Sequence, residues 1–231
     1  MTPYYEHAGI TIYHGDCREV LPTLDRLSVD VVVTDPPFSV PVKYHDTDGD
    51  YPRSWGDLCV MEPFFSSVFV ELRRISKPNA HVYVCCDGQS YPVFFKAALP
   101  LWSQSHLLIW YKPTGRRGRG WQHSHESILH LRGPLTEYAD GFRQDLIGIM
   151  PVRTLNRKHP AEKPGDLWSW LLEAVPANYI RACDPFMGSG SLLVAARARG
   201  LQAIGIEIEE RYCEIAAKRL AQEVLQLEQL A

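Results

Sequence analysis

No stretch of this 231-residue sequence approaches the roughly 18 uninterrupted apolar residues that a membrane-spanning helix needs. The opening MTPYYEHAGI also lacks the basic and then apolar run of a secretory signal, so a cytoplasmic protein with no membrane partner is expected. Cysteine is sparse and poorly spaced for metal or redox chemistry. The six cysteines (Cys17, Cys59, Cys85, Cys86, Cys183, Cys213) include no C-x-x-C pair, and the adjacent Cys85-Cys86 sits inside an apolar run. Neither a zinc site nor a disulfide framework is indicated, and reduced, buried thiols are expected. His123 and His125 stand beside Glu126 without a third ligand of matching spacing. The acidic Asp46, Asp48 and Asp50 lack the glutamate that closes an EF-hand loop, so no metal is expected. No Ser/His/Asp or Cys/His constellation offers a covalent nucleophile, and neither an internal repeat nor a low-complexity tract is present.

What is present is an ordinary globular composition, 45% hydrophobic and 22% charged, which excludes long disorder and suits one domain over residues 1–231. The net charge of −3 argues against a surface that binds polyanions everywhere, but the charge is unevenly spread. Residues 1–111 carry 8 basic and 13 acidic side chains, residues 112–163 carry 10 and 5, and residues 164–231 carry 6 and 9. One basic middle segment is the footprint of a single face that meets a phosphate backbone.

Short runs rich in Val, Ile, Tyr and Cys alternate with helix-like segments, the pattern of an α/β fold with helices on both faces of a mostly parallel sheet. Seven strands are predicted, at Ile10–His14, Val29–Thr34, His81–Cys86, His106–Tyr111, Ser127–Leu131, Tyr179–Cys183 and Gln202–Ile206. The clearest helices are Pro63–Ser76, stopped by Lys77-Pro78-Asn79, then Gly165–Glu173, Ser191–Arg199 and the long amphipathic Glu209–Leu230. Two polar stretches, Ser39–Asp57 and Pro113–Gln122, are too long for bare connections. The first reads as a mobile lid. The second contains Lys112-Pro-Thr-Gly-Arg-Arg-Gly-Arg-Gly and is suited to phosphate contact through Lys112, Arg116, Arg117 and Arg119, with Trp121 alongside.

Two motifs carry chemistry. Asp184-Pro-Phe-Met-Gly-Ser-Gly190 turns a strand sharply into a helix through glycines that let the backbone pass close to a ligand. Glu207, seventeen residues after Gly190, ends the next strand, where a carboxylate accepts hydrogen bonds from ribose hydroxyls. The spacing is not G-x-G-x-x-G, and Asp184 would repel a pyrophosphate, so a nucleoside with a positive centre fits better. The other motif ends a buried strand at Asp35-Pro36-Pro37-Phe38. Two prolines stiffen the segment and leave it only carbonyl acceptors. A carboxylate, a proline carbonyl and an aromatic ring together suit an exocyclic amino group on a stacked base, such as adenine or cytosine.

With His159-Pro-Ala-Glu-Lys-Pro164 between them, these motifs resemble, in this order, the β group of S-adenosylmethionine-dependent DNA amino-methyltransferases. The resemblance spans nearly the whole chain, from Ile12-Tyr13-His14-Gly15-Asp16-Cys17 to the last helix. It implies a Rossmann-like methyltransferase fold with the catalytic motif before the cofactor motif, S-adenosylmethionine as cofactor and double-stranded DNA as partner. Asp184, Phe186, Gly188 and Gly190 would surround the methionine part, with Ser189 and Ser191 nearby. Glu207 would hold the ribose, Asp16 and Cys17 would contact the adenine, and His159 and Lys163 would close over the methionine end. Asp35, Pro36, Pro37 and Phe38 match the catalytic tetrapeptide, with Phe38 where the family most often has Tyr. Within a DNA-contacting segment of about 112–158, residues 133–158 take the place of the target-recognition region and are short. Asp at position 35 points to N6 of adenine, with N4 of cytosine as the alternative. An RNA or protein amine as target, a silent binding module, a homodimer and a restriction endonuclease partner stay open.

Overall fold

The computed structural model describes residues 1–37, 58–113, 124–141, 143–153, 155, 157–159 and 161–228. Phe38, the Ser39–Asp57 stretch with Asp46, Asp48 and Asp50, and Arg116, Arg117, Arg119, Trp121 and His123 lie outside the described residues.

Among the described residues nine strands form one sheet: β1 (Tyr5–His7), β2 (Ile10–His14), β3 (Val29–Thr34), β4 (Ser76–Cys86), β5 (Gln104–Tyr111), β6 (His125–Arg132), β7 (Leu146–Gly148), β8 (Arg181–Asp184) and β9 (Gln202–Glu207). Their spatial order is β1-β2-β9-β8-β3-β4-β6-β5-β7. The pairs β2·β9, β9·β8, β8·β3, β3·β4 and β5·β7 are parallel, while β1·β2, β4·β6 and β5·β6 are antiparallel. The mostly parallel Rossmann-like expectation holds, but the count of seven is corrected to nine. The two additions, β1 and β7, are three-residue edge strands, too short to show a two-residue periodicity.

The helices are α1 (Cys17–Val20), α2 (Leu58–Ile75), α3 (Tyr91–Ala98), α4 (Gly165–Glu173), α5 (Ser191–Ala198) and α6 (Glu210–Glu228). None of the described helices is long and apolar enough to cross a membrane. Alternation along the central strands divides the core. Val31, Val33, Tyr83 and Cys85 face Leu167, Trp168, Leu192 and Leu193 of α4 and α5. Val32, Val82, Val84 and Cys86 face Phe65, Phe69, Leu72 and Phe94 of α2 and α3. Each fully buried Val contributes about 1.5–3 kcal/mol, which anchors β3 and the segment after it.

Two boundaries differ from expectation. α2 starts five residues before Pro63 and carries that proline in its interior. The helix does stop ahead of Lys77-Pro78-Asn79, at Ile75, but β4 begins at once at Ser76, and a register shift opposite Val29 and Val31 accommodates the proline within the strand. Asp30, buried within β3, explains why the shift is tolerated. Its Oδ1 accepts from Lys77 Nζ at 2.6 Å, and its Oδ2 accepts from the backbone N–H groups of Ile180 and Arg181 at 3.0 and 2.9 Å. The five described cysteine thiols, all but Cys59, are free and buried.

Candidate active site

The parallel strands bring their C-terminal ends to one edge of the sheet, where ligands bind in open α/β folds. Along that edge the order of strands sets out Asp16 after β2, Glu207 at the end of β9, Asp184 at the end of β8 and Asp35 after β3. Because β6 is antiparallel to β4, its first residues reach the same edge and add Glu126, and the end of β5 adds Lys112.

The glycine turn after β8 is built for close approach. Gly188 and Gly190 have φ of +51° and +76°, which L side chains rarely adopt. A Cβ on Gly190 would lie 2.7 Å from the Ala216 methyl, and one on Gly188 would lie 3.6 Å from the His159 ring. The His159 ring also meets Tyr212 edge-on at 4.3 Å, and burial pulls its pKa down to about 4, so it is neutral. Ser189 and Ser191 are less available than expected. Ser189 accepts from Arg219 through both its carbonyl and Oγ, and Ser191 Oγ accepts from Trp168 Nε1 at 2.8 Å. Arg219 also donates to Glu162 at 2.8 Å, tying the 159–164 motif to the glycine turn through α6.

Three carboxylates flank this turn in different states. Asp184 is buried; its Oδ1 accepts from Thr34 Oγ1 at 2.8 Å and from the Phe186 N–H at 3.0 Å. Burial outweighs these bonds and pushes its pKa up to about 7, so a positive group beside it would be favoured. Glu207 accepts the N–H of Gly188 at 3.0 Å and of Glu209 at 2.8 Å, and burial raises its pKa as well. Its remaining lone pairs can still accept hydroxyls. Asp16 caps α1 and is gripped by Arg18, with Nη2 to Oδ2 at 2.6 Å; that hydrogen bonding holds its carboxyl below the usual range. Cys17 is a buried thiol, pushed up to about 12 by burial. Phe186 packs toward α2, with ring centroids 6.3 and 6.2 Å from Phe64 and Phe65.

The segment after β3 holds an arrangement that sequence reading missed. Lys163 Nζ donates to Asp35 Oδ2 at 2.5 Å and lies 3.2 Å from Glu126 Oε2. Lys112 Nζ in turn donates to Glu126 Oε1 and sits 4.7 Å from the centre of the Trp110 ring. The chain Lys112, Glu126, Lys163, Asp35 therefore alternates in charge and sums to zero. Burial works against the charge on Lys163, but Asp35 and Glu126 outweigh it and raise its pKa. The other oxygen of Asp35, Oδ1, is buried and has no hydrogen-bond partner among the described residues. Pro36 is buried beside it and Pro37 half-buried.

Placement at Lys112 and Lys163 differs from expectation. The sequence pattern offers Lys112 to a phosphate, yet its ammonium is paired inward with Glu126. The resemblance gives Lys163 to the cofactor, yet its ammonium reaches Asp35 at the catalytic motif. Glu126 stands out in the sequence only as a neighbour of His125; its strand alternation, opposite in face to His125, is the available signal.

Comparison with known proteins finds likenesses among DNA methylases. The DNA methylase family (N6_N4_Mtase) matches residues 137–218. The Type II methyltransferase M.ScaI of Streptomyces caespitosus is 26% identical, over 97% of this chain and 86% of its own length. Among solved structures, the S-adenosyl-L-methionine complex of TTHA0409 from Thermus thermophilus superposes with a TM-score of 0.71 at 22% identity, covering 92% of this chain and 93% of that one. The cytosine-N4-specific PvuII DNA methyltransferase superposes with a TM-score of 0.74 at 16% identity, covering 93% and 87%. At these identities the two structures speak to the fold.

Proposed function

We infer that the chain is an S-adenosylmethionine-dependent DNA amino-methyltransferase, a reading supported by its match to the DNA methylase family over residues 137–218 and by the site on the sheet edge. The cofactor fits the residues present. Gly188 and Gly190 keep the turn free of Cβ atoms, Asp184 favours a positive centre, and Glu207 retains acceptor capacity for ribose hydroxyls. When bound, the cofactor supplies an electrophilic methyl group on a sulfonium.

The protein's task is then to make an exocyclic amine a better nucleophile, since its lone pair is delocalised into the base. Asp35 Oδ1 and the Pro36 carbonyl accept the two amine hydrogens and draw the nitrogen toward a tetrahedral shape, lone pair outward. Fixed acceptors of this kind act through position and preorganised charge. The single observation that carries the reading is the buried, unpartnered Oδ1 of Asp35, while Oδ2 of the same carboxylate is held by Lys163. A target inside a duplex must be rotated out of its stack at a cost of a few kcal/mol. Stacking on Phe38 would offset part of that cost. The basic segment, with Arg116, Arg117 and Arg119, would track the phosphates and Trp121 would stack beside them. The relatives named Type II methyltransferases support a restriction–modification setting, with an endonuclease that shares the DNA site.

The proposed product is N6-methyladenine. Both targets present an exocyclic amine next to a ring nitrogen, so the acceptor geometry serves either. The discrimination rests on Asp35, since in the family that the sequence resembles Asp at this position accompanies adenine more often and Ser cytosine. Incubation with cofactor and DNA, digestion to nucleosides and mass spectrometry test the proposal. N6-methyladenine is the expected species; N4-methylcytosine as the main product would overturn the base assignment, and no methylated nucleoside would overturn the function.

A further inference from the structure

We infer that Glu126 is a positioning residue for this reaction: it anchors Lys163 across Asp35, so that Asp35 keeps Oδ2 engaged and presents only Oδ1 to the target amine. The inference rests on the methyltransferase reading above and goes beyond the motifs that led to it, because Glu126 belongs to none of them.

The geometry makes the case. The Glu126 side chain is 19% exposed and stands between two ammonium groups, Lys112 on Oε1 and Lys163 at 3.2 Å from Oε2. Lys163 is 7% exposed and Asp35 is 15% exposed, so neither charge is well hydrated. A lysine in such a place, with Asp35 as its one carboxylate, gives up its proton to solvent more readily: the proton leaves Nζ, the N–H electron pair stays on nitrogen, and a neutral amine remains beside the Asp35 carboxylate. A neutral Lys163 no longer orients Asp35. Glu126 opposes this by placing a second carboxylate oxygen 3.2 Å from Nζ, where it stabilises the ammonium. Lys112 balances Glu126 in turn, and its own position is fixed by the Trp110 ring.

The other groups around Lys163 do not supply this charge. Cys85 lies beneath the cluster with its thiol pKa raised well above the ordinary value by burial, and His159 is neutral above about pH 4. Asp184 interacts electrostatically with Asp35, whereas the charges that act most on Lys163 are Asp35 and Glu126. Glu126 is thus the second carboxylate in ion contact with Lys163 among the described residues.

The charge balance dictates the test. Glu126→Gln leaves Lys112, Lys163 and Asp35 with a net positive charge, which is relieved when Lys163 loses its proton. Lys112→Met leaves a net negative charge, which is relieved when a carboxyl takes a proton up. Single-turnover methylation of a duplex oligonucleotide at saturating cofactor is followed from about pH 6 to about pH 10 in wild type and both variants, with circular dichroism to verify folding. In Glu126→Gln the rate falls roughly tenfold per pH unit above a new alkaline ionisation that wild type lacks. The fall disappears in Glu126→Gln/Lys163→Arg, because guanidinium does not titrate in this range. In Lys112→Met a new limb appears on the acid side instead. Nitrogen-15 NMR of the Lys163 ammonium follows the same ionisation without any substrate. A wild type that transfers no methyl group overturns the methyltransferase reading and this inference with it. An active wild type with a parallel Glu126→Gln profile, or a Lys163 whose NMR titration is unmoved by that substitution, overturns this inference alone.

Discussion

Lys163 Nζ and Asp35 Oδ2 lie 2.5 Å apart although 128 positions separate them in the chain. The contact joins the 159–164 motif to the strand end that carries Asp35-Pro36-Pro37, and it divides the work of one carboxylate between its two oxygens. Oδ2 is held by Lys163, and Oδ1 has no hydrogen-bond partner among the described residues.

Asp35→Asn keeps the shape of the side chain, removes its charge and puts a donor where an acceptor stood. Turnover in a single-turnover methylation assay is expected to fall roughly 10²-fold or more, the usual cost of losing one preorganised group at a reacting centre. Cofactor affinity by calorimetry should stay close to wild type, since the residues proposed to hold the cofactor, Gly188, Gly190 and Glu207 among them, keep their places in the variant. A variant with near wild-type rates would mean that the acceptor does not drive the reaction.

Glu207→Ala removes the partner of two backbone N–H groups as well as the proposed ribose acceptor. Cofactor binding should weaken by about 1–3 kcal/mol. The free protein should also melt lower, because the Gly188 and Glu209 amides lose their acceptor. Unchanged calorimetric affinity would take Glu207 out of the cofactor site.

If Asp184 faces the cofactor as proposed, cofactor binding should depend on pH. Its pKa in the fold is about 7, above the roughly 3.9 of an unfolded chain, so the free native state holds a proton that the unfolded state has lost. Its contribution to stability is therefore full below about pH 4 and is lost as pH rises through about 7. A cationic ligand competes with that proton. Affinity for S-adenosylmethionine should rise as pH increases from about 6 to 8, with proton release detectable in buffers of different ionisation enthalpy, and Asp184→Asn should flatten the trend.

The opposite end of the sheet sets acid stability. His81 Nδ1 lies 3.0 Å from Tyr83 Oη and 3.1 Å from His130 Nε2, and the His81 and His130 rings stack at an interplanar angle of 3°. Burial pulls their pKa values down to about 4 and about 2. Depressed values mean stability that is full above about pH 6.5 and lost as pH falls toward 4, by up to about 1.4 kcal/mol per pH unit for each histidine. The fall in urea midpoint from pH 7.5 to pH 5 should be clearly smaller or reversed in His81→Phe/His130→Phe, where Asp184 acts in the opposite sense. An equal fall in the variant would place the acid sensitivity elsewhere.

Much of this molecule was legible in the sequence because its determinants are local. The valine run of β3 has to be buried on both faces, two prolines have to stiffen the segment after Asp35, and glycines at 188 and 190 have to supply positive φ, whatever surrounds them. Seven of the nine strands and the order of the motifs could be read in the same way. The edge strands β1 and β7 escaped because three residues carry no period. The start of β4 escaped because Pro78 reads as a breaker until Asp30 and the register shift are seen to accommodate it.

Only the tertiary structure decided which charges meet. Nothing within a few residues of Lys112, Glu126 or Lys163 indicates that they form one neutral chain with Asp35. The insertion of antiparallel β6 between β4 and β5 turns the first residues of β6 toward the edge where β3 ends and so brings a carboxylate beside Lys163. Turn chemistry depends on the φ/ψ limits of a few adjacent residues and is written in their identities. A buried ion pair depends on strand order and burial, which bring distant residues within a few ångströms and out of water, where their charges must find one another.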